Sequence, residues 1–318
     1  MSGTSGRGRI AMRRRDVLKG AAAGFGALAV GPLARVALAA DAPAVERVTD
    51  RLALVTGAGG NVLVLAADDG QVVVDSGAAA SSTALLAALG SLPGGGRVQR
   101  LFNTHWHPEQ VGANEALGKA GAKIIAHAKT RAHLAAGYYL PAEDRYVNPL
   151  PAPALPTEVV YTHGETTAGG ERIEYGYLLE AHTDGDLYVY FRGSNVVAVG
   201  GAISPERDPV LDWFGGGWLG GRVDALEQLL AMTDEKTRFV PSDGPVVGRA
   251  AVEAERDFMR TVFDRMVELV RKGDSPEDCL AAGALDGLSR KLADPLAFIY
   301  SVHKGLWAHH NTLSPDIV

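Results

Sequence analysis

Short apolar runs separated by turn signals dominate the first half of the chain. Runs between about residues 47 and 75 have the length of strands, and Asp69-Gly70 between two of them predicts a hairpin turn. The pattern then predicts a helix at about 80–90 and a strand that ends at the histidines near 105. A helix at 113–120, a strand at 123–126 and a helix at 128–136 are predicted to follow. A Pro-rich segment at 149–156 precedes further strands and helices. Alternation of this kind predicts an α/β sandwich.

The last quarter of the chain is predicted to be helical. Apolar residues recur near helical spacing among charges between 249 and 272. A second helix is expected to begin at Ser275-Pro276-Glu277-Asp278, because proline suits the first helical position. No internal linker is long enough to separate two units, although length alone would allow one domain or two. The helix at 249–272 is expected to be scaffold, because it lies beyond the segments that carry candidate chemistry.

The N-terminal residues resemble an export signal. Arg14-Arg15 opens a segment similar to the twin-arginine motif, residues 20–34 carry no charge, and Ala37-Leu38-Ala39 fits a cleavage site. The alternative, a membrane anchor, is disfavoured because the uncharged stretch is shorter than the roughly 20 residues needed to span a bilayer. We expect residues 1–39 to be a removed signal, which predicts a periplasmic protein without a stable membrane anchor.

Charge and cysteine content narrow the partners. The whole chain has 31 Lys/Arg and 37 Asp/Glu residues, of which seven basic residues and one acidic residue lie in residues 1–39. The mature chain therefore has 24 basic and 36 acidic residues and a formal charge of −12. That balance disfavours nucleic acid and anionic membranes as partners and leaves a small-molecule substrate as the expectation. Cys279 is the single cysteine, which excludes an internal disulfide, and its expected role is core packing. The oligomeric state is left open.

The strongest chemical signal is His105-Trp106-His107. In an extended segment, side chains two positions apart point to the same side, so both imidazoles can reach one metal ion. By itself the pair is equally compatible with two incidental histidines in a solvent-facing loop.

Several motifs taken in order are more specific than the histidine pair. The run from Thr104 to Gln110 resembles the His-x-His-x-Asp-His signature of the metallo-β-lactamase superfamily. Residues 72–77 are similar to that family's strand ending in Asp-x-Gly, residues 181–186 to the segment supplying its third histidine, and residues 241–245 to its Pro-Gly-His-Gly-Pro loop. The resemblance covers about residues 46–250. It implies an αββα metallo-β-lactamase sandwich at 40–250, with a helical extension at 251–318 packed on the same domain.

The resemblance also implies which residues bind metal. Its three-histidine site corresponds to His105, His107 and His182, whereas its second metal site corresponds to four altered positions: Glu109, Gln110, Gly201 and Asp243. Glycine offers no side chain and a glutamine amide is a poor substitute for imidazole. We therefore expect one zinc ion, held by three histidines with one position open, as in catalytic sites.

The implied function is hydrolysis of an ester, thioester, lactone or amide by a zinc-bound hydroxide. Glu109 and Asp243 are the candidate catalytic residues, because both would lie near the altered second site and could orient water or protonate a leaving group. Two alternatives remain: a non-catalytic binding module that keeps the fold, and a mononuclear iron oxidoreductase. The second is disfavoured by Gly201, since that branch uses an aspartate there.

Two further groups of residues have competing interpretations. The Gly-rich run from Trp213 to Trp218 suits either a lip over a cleft or a tight turn with buried tryptophans. His303, His309 and His310 suggest an accessory metal site, although packing and solvent contact are favoured there. His127 is expected to be a structural, hydrogen-bonding histidine.

Overall fold

The computed structural model describes residues 43–140 and 145–309. These residues belong to one compact unit, which spans 40–318. The predicted export signal at 1–39 and the histidine at position 310 lie outside the described residues. Among the described helices, none combines the length and the apolar character needed to span a membrane.

Seven strands form the first sheet, and their sequence explains why both of its faces are covered. The strands are β1 (Ala44–Arg47), β2 (Leu52–Thr56), β3 (Val62–Ala67), β4 (Gly70–Val74), β5 (Val98–Phe102), β6 (Lys123–His127) and β9 (Glu158–Val160), in that spatial order. β1 to β4 pair antiparallel, whereas β4 to β9 pair parallel. Consecutive apolar residues in β3 and β4 point to alternate faces, which requires an apolar layer on each side.

Six strands form the second sheet. They are β10 (His163–Ala168), β11 (Glu171–Leu178), β12 (Asp186–Phe191), β13 (Val196–Gly200), β14 (Arg238–Pro241) and β15 (Val247–Gly248), and all pairs are antiparallel except β13 with β14. A separate hairpin joins β7 (Tyr138–Leu140) to β8 (Arg145–Val147). The predicted hairpin is confirmed one residue earlier: Asp68 and Asp69 form the β3–β4 turn, and Gly70 pairs with Ala67 as the first residue of β4.

Helices cover both outer faces. Those in the first half are α1 (Ser82–Ser91), α2 (Pro108–Val111), α3 (Asn114–Lys119) and α4 (Ala128–Ala135). Those in the second half are α5 (Leu219–Ala231), α6 (Arg249–Arg271), α7 (Pro276–Ala281) and α8 (Pro295–Ala308). The long helix predicted at 249–272 is thus confirmed, and Ser275 begins α7 with a capping box to Asp278.

Three apolar layers stabilise this arrangement. Leu63, Val74 and Phe102 of the first sheet pack against Val189 and Phe191 of the second in the layer between the sheets. A second layer joins the outer face of the first sheet to α1 and α3, and a third joins the second sheet to α5, α6 and α8. The predicted αββα sandwich with added C-terminal helices is confirmed. Cys279 is buried in the third layer, where it has the packing role expected of it.

Candidate metal centre

The three predicted ligands lie together at one edge of the sandwich. His105 and His107 follow β5, and His182 lies between β11 and β12. One donor nitrogen from each lies within 4.8 Å of the others. The ring centroids are 4.7 to 4.8 Å apart and the rings are nearly perpendicular to one another. In the part of the chain that the structure describes, no other group of His, Cys, Asp or Glu donors is placed to share a metal ion.

The outward nitrogen of each imidazole has a fixed partner. These contacts are His105 Nδ1 with Thr104 Oγ1 at 3.1 Å, His107 Nε2 donating to Asp212 Oδ2 at 3.0 Å, and His182 Nδ1 donating to the Val210 carbonyl at 2.8 Å. Such contacts leave the inward nitrogens as lone-pair donors, and two of these, His182 Nε2 and His107 Nδ1, are only 3.1 Å apart. Orientation by outer partners is typical of metal-binding histidines. The donor set therefore fits a metal ion.

Protonation states favour metal binding at two of the rings. Burial lowers the pKa of His182 to about 3, with the charge of His107 adding to the effect. Burial, followed by the charges of His182 and His107, also holds the pKa of His105 well below its ordinary value. For His107, burial alone would lower the pKa, but the hydrogen bond and charge of Asp212 outweigh it and raise the pKa. His105 and His182 are therefore neutral near pH 7, which is the form that coordinates metals.

Asp75 fixes the turn that carries His105 and His107. Its Oδ1 accepts the Thr104 backbone N–H and its Oδ2 accepts the Thr104 hydroxyl, both at 2.7 Å. Burial raises the pKa of Asp75 to about 7, against the opposing hydrogen bonds from Thr104. The residue adopts a left-handed conformation with φ of 61°, which bends the chain out of β4 toward the turn. Asp75 therefore positions the histidine loop by holding Thr104, the residue that precedes His105.

The carbonyl that orients His182 is itself held by a buried charge pair. Arg222 Nη1 donates to the Val210 carbonyl at 3.0 Å, and Arg222 Nη2 lies 2.8 Å from Glu255 Oε1. Both charged side chains are almost fully buried, at 0% and 3% exposed. Removing one partner of such a pair typically costs about 3 to 5 kcal/mol. Arg222 of α5 and Glu255 of α6 are therefore connected to the His182 ring through the Val210 carbonyl.

The positions of the altered second site line the same cleft as His107 and His182. Glu109 Oε1 lies 3.7 Å from His107 Nδ1, so its carboxylate faces the first site. Gln110 is buried, and its Oε1 has no hydrogen-bond partner among the described residues. Asp243 Oδ2 is paired with Arg207 Nε at 2.6 Å. Asp243 is thus already paired with a guanidinium, and Gln110 offers only a neutral amide as a donor.

Gly201 lacks a side chain for a steric reason. A Cβ added there would lie 2.2 Å from His182 Cδ2, far inside van der Waals contact. The neighbouring Gly200 has φ of +55°, and a Cβ on it would lie 2.6 Å from Thr104 Oγ1. The loop that carries Thr104 and His105 thus packs against Gly200, and the loop that carries His182 packs against Gly201. Any side chain at position 201 would push the His182 ring out of position.

These residues line an open cleft of about 130 Å³. Its walls include His107, Glu109, His182, Arg207 and Asp243, so both predicted catalytic carboxylates face the same space as two of the ligands. Their catalytic roles remain predictions.

The Gly-rich run from Trp213 to Trp218 is a turn, and none of its residues lines the cleft. Trp218 packs against the α5–α6 core and stacks on His309 at 4.1 Å between ring centroids. Phe214, by contrast, is 62% exposed. A Cβ on Gly217 would lie 2.0 Å from the His182 carbonyl oxygen, so glycine permits a close backbone approach here. The run is a packed turn with one exposed aromatic residue.

His127, His303 and His309 each have a structural partner. His127 stacks on Tyr177 with centroids 4.0 Å apart and accepts the Lys129 backbone N–H. His303 Nε2 donates to the Asp274 carbonyl at 3.1 Å. His309 contacts Glu180 at 3.1 Å. Within the described residues, these histidines form no accessory metal cluster.

Comparison with known proteins identifies the family. The family model described as the metallo-beta-lactamase superfamily matches residues 55–242, which is more than half of the chain. The chain therefore belongs to the metallo-β-lactamase superfamily. A search of curated proteins found no match.

Solved structures share the fold at low sequence identity. A metallo-beta-lactamase from Pontibacter korlensis is similar with a TM-score of 0.56 and 18% identity, over 69% of this chain and 99% of that one. The DIM-1 metallo-beta-lactamase gives a TM-score of 0.55 at 17% identity, over 69% of this chain and 97% of that one. The stereoselective inverting sec-alkylsulfatase Pisa1 from Pseudomonas sp. gives 0.63 at 16% identity, over 84% of this chain and 50% of that one. The present chain thus matches half the length of the alkylsulfatase.

Several residues of the centre have no signal in the sequence. Asp212 lies 105 positions from His107, in a segment without a recognisable motif. Asp186 is an exception, because it is the last residue of the 181–186 motif, although that motif implied a role only for His182; it accepts the backbone N–H groups of His182 and Thr183 at 2.6 and 2.9 Å. Arg207, like Asp212, has no distinguishing pattern around it. The acidic character of Asp212 does not by itself indicate a role in the metal centre, because most acidic residues in loops are solvated.

Asp212 offers a direct test of ligand positioning. We expect Asp212→Ala to weaken zinc affinity about 10- to 100-fold, because His107 loses the acceptor that fixes its ring. Competition against a chromophoric chelator measures the affinity. Asp184→Ala is the matched control, since Asp184 makes a similar 2.9 Å contact to His133, which is not a ligand. Equal losses of affinity in the two variants would contradict a specific role for Asp212.

Proposed function

We propose that this protein is a mononuclear, zinc-dependent hydrolase of a small-molecule ester, thioester, lactone or amide. The observation that carries the proposal is the set of three imidazoles whose outward nitrogens are all hydrogen-bonded and whose inward nitrogens converge. A three-histidine set with an open position is the pattern of catalytic zinc sites. The hydrolytic names of the structural neighbours agree with this class, although at under 25% identity they share only the fold.

Different side chains of the site would bind the metal, orient a ligand and transfer a proton during hydrolysis. A zinc ion in this site would acidify a bound water and polarise the substrate carbonyl. His105 and His182, neutral because of burial, hold the ion, and Asp212 keeps the His107 ring aligned. Glu109 is the proposed proton acceptor for the attacking water, because its carboxylate is half-exposed in the cleft and 3.7 Å from His107 Nδ1. Asp243, paired with Arg207, is the less available base.

Metal content and hydrolysis together test the proposal. We expect dialysed mature protein, exported through its proposed twin-arginine route to the periplasm, to retain close to one zinc per chain by elemental analysis. Chelation should abolish turnover of at least one substrate in a panel of esters, thioesters, lactones and amides, and zinc should restore it. The panel would include a β-lactam and a secondary alkyl sulfate, the groups named for the structural neighbours.

Other outcomes would replace the proposal. Two tightly bound zinc ions would contradict the mononuclear assignment and show that Glu109 and Asp243 rebuild a second site. A chain that binds no metal would favour the non-catalytic binding module. Tightly bound iron with an oxygen-dependent activity would favour the oxidoreductase, for which position 201 offers no ligand.

A further inference from the structure

Three charged side chains from the C-terminal half of the chain form a largely buried network. Arg222 on α5 and Glu255 on α6 are almost fully buried and pair at 2.8 Å. Arg290, from the chain between α7 and α8, places its Nη1 3.5 Å from Glu255 Oε2, so one carboxylate lies between two guanidinium groups. Buried ion pairs often contribute no more stability than apolar residues of similar volume, so stability alone does not explain this network.

All three side chains hold the segment between β13 and α5. Arg222 Nη2 donates to Ser204 Oγ at 2.8 Å, and Glu255 Oε2 accepts the Ser204 backbone N–H at 3.0 Å. Arg290 Nη2 donates to the Ser204 carbonyl and, at 2.6 Å, to the Arg207 carbonyl. The hydroxyl, the N–H and the carbonyl of Ser204 are therefore each bonded by a different member of the network.

The same network reaches a predicted metal ligand through the other end of that segment. Arg222 Nη1 donates to the Val210 carbonyl at 3.0 Å, and this carbonyl also accepts the Nδ1–H of His182 at 2.8 Å. A carbonyl oxygen has two lone pairs, so it can accept both hydrogen bonds at once. Val210 is itself 57% exposed, so the packing of its side chain contributes little to fixing the carbonyl. The guanidinium is therefore the contact that holds the acceptor of the His182 ring in place.

We propose that Arg222 is a positioning residue of the metal centre, which orients the His182 ring by holding the Val210 carbonyl. The other two members of the network fix Arg222 and the segment that it holds. Both lie in the C-terminal extension, outside the family match at 55–242, so that extension takes part in the metal centre and is not scaffold alone. The inference rests on the metal site of the proposed function, and it holds whichever bond is hydrolysed.

A double variant of the mature chain, Arg222→Met with Glu255→Gln, removes the contact to the Val210 carbonyl without leaving a lone charge between α5 and α6. Replacing both partners of a buried pair is far milder than removing one, and glutamine keeps an acceptor for the Ser204 N–H. Zinc affinity, measured by competition against a chromophoric chelator, should fall about 10-fold. This is the lower end of the range for partners of metal ligands, because Arg222 acts one contact further out. Arg222→Lys, which keeps one donor in place of the fork, should lose less affinity than the double variant.

Arg265→Met is the matched control for the loss of a guanidinium. Arg265 Nη1 also donates to a backbone carbonyl, that of Asp286 at 2.8 Å, but this carbonyl lies in the chain between α7 and α8 rather than beside a metal ligand. Zinc affinity should therefore stay unchanged. Arg290→Met, at a partly exposed side chain, releases the Ser204 and Arg207 carbonyls and should also lower zinc affinity, which keeps the test available if the double variant does not fold.

NMR of the metal-free protein separates failure of this inference from failure of the proposed function. The Nδ1–H of His182 is fixed on the Val210 carbonyl without a metal ion, so it should give a slowly exchanging ring N–H resonance in the wild type and in Arg265→Met. The double variant should lose that resonance. This result would support the positioning role even if the protein bound no zinc and hydrolysed nothing. An unchanged resonance with unchanged zinc affinity in the double variant, or an equal loss of affinity in Arg265→Met, would overturn the inference.

Discussion

His182→Ala is expected to lose most of its zinc and its hydrolysis together. Two imidazoles hold zinc much less firmly than three, so the loss of affinity should exceed the roughly 10- to 100-fold that follows removal of an outer partner. The remaining ligands, His105 and His107, lie on one loop and keep their own contacts to Thr104 and Asp212. The fold should therefore survive, which circular dichroism and thermal melting would show while elemental analysis reports the zinc.

Comparing Glu109→Gln with His182→Ala distinguishes a proton acceptor from a metal ligand. It keeps the shape of the side chain but removes its basicity, so zinc should stay while kcat falls about 10²- to 10⁴-fold. Asp243→Asn should have a smaller effect on kcat, because Asp243 is engaged by Arg207. Hydrolysis that survives His182→Ala unchanged would show that the activity comes from another site or a contaminant. In that case the binding module becomes the better account of the protein.

Gly201→Asp is expected to lower zinc content rather than create a second metal site. The substitution introduces the aspartate that the family resemblance implies at this position, yet its Cβ would lie 2.2 Å from His182 Cδ2. The ring must move to relieve that contact, which breaks its 2.8 Å hydrogen bond to the Val210 carbonyl. Overpacking of this kind typically costs about 1 to 3 kcal/mol, and here the strain falls on a metal ligand. Zinc stoichiometry and affinity, measured as for Asp212→Ala, decide the outcome.

Gly248→Asp is the matched control for that substitution. Nothing lies within 4 Å of a Cβ added at Gly248, which is the N-cap of α6. Aspartate is a favourable N-cap, so this variant should keep its zinc and gain slightly in thermal stability. Two equivalents of tightly bound metal in Gly201→Asp would show that the His182 loop can move aside, and that the present packing against Gly201 does not limit the centre to one ion.

Local patterns in the sequence predicted much of the fold. The helix expected at about 80–90 is found at Ser82–Ser91, and the helix expected at 128–136 is found at Ala128–Ala135. Both follow from apolar spacing and from the turns between elements, which depend on residues close together in the chain. The boundaries differ by a few residues because helix ends are set by capping contacts that spacing alone does not reveal.

The sequence by itself determined most of the order of strands and helices in the first half of the chain, and its family resemblance implied the αββα arrangement and the three histidines that meet at one point. Those features depend on side-chain periodicity and on short motifs, which are local properties of the chain. Only the tertiary structure decided what surrounds the histidines. Asp212, Val210 and Arg207 reach the centre from the chain between β13 and α5, and their roles depend on distances between segments far apart in sequence. No local pattern encodes such distances, because they arise only when two sheets and their outer helices pack around one core.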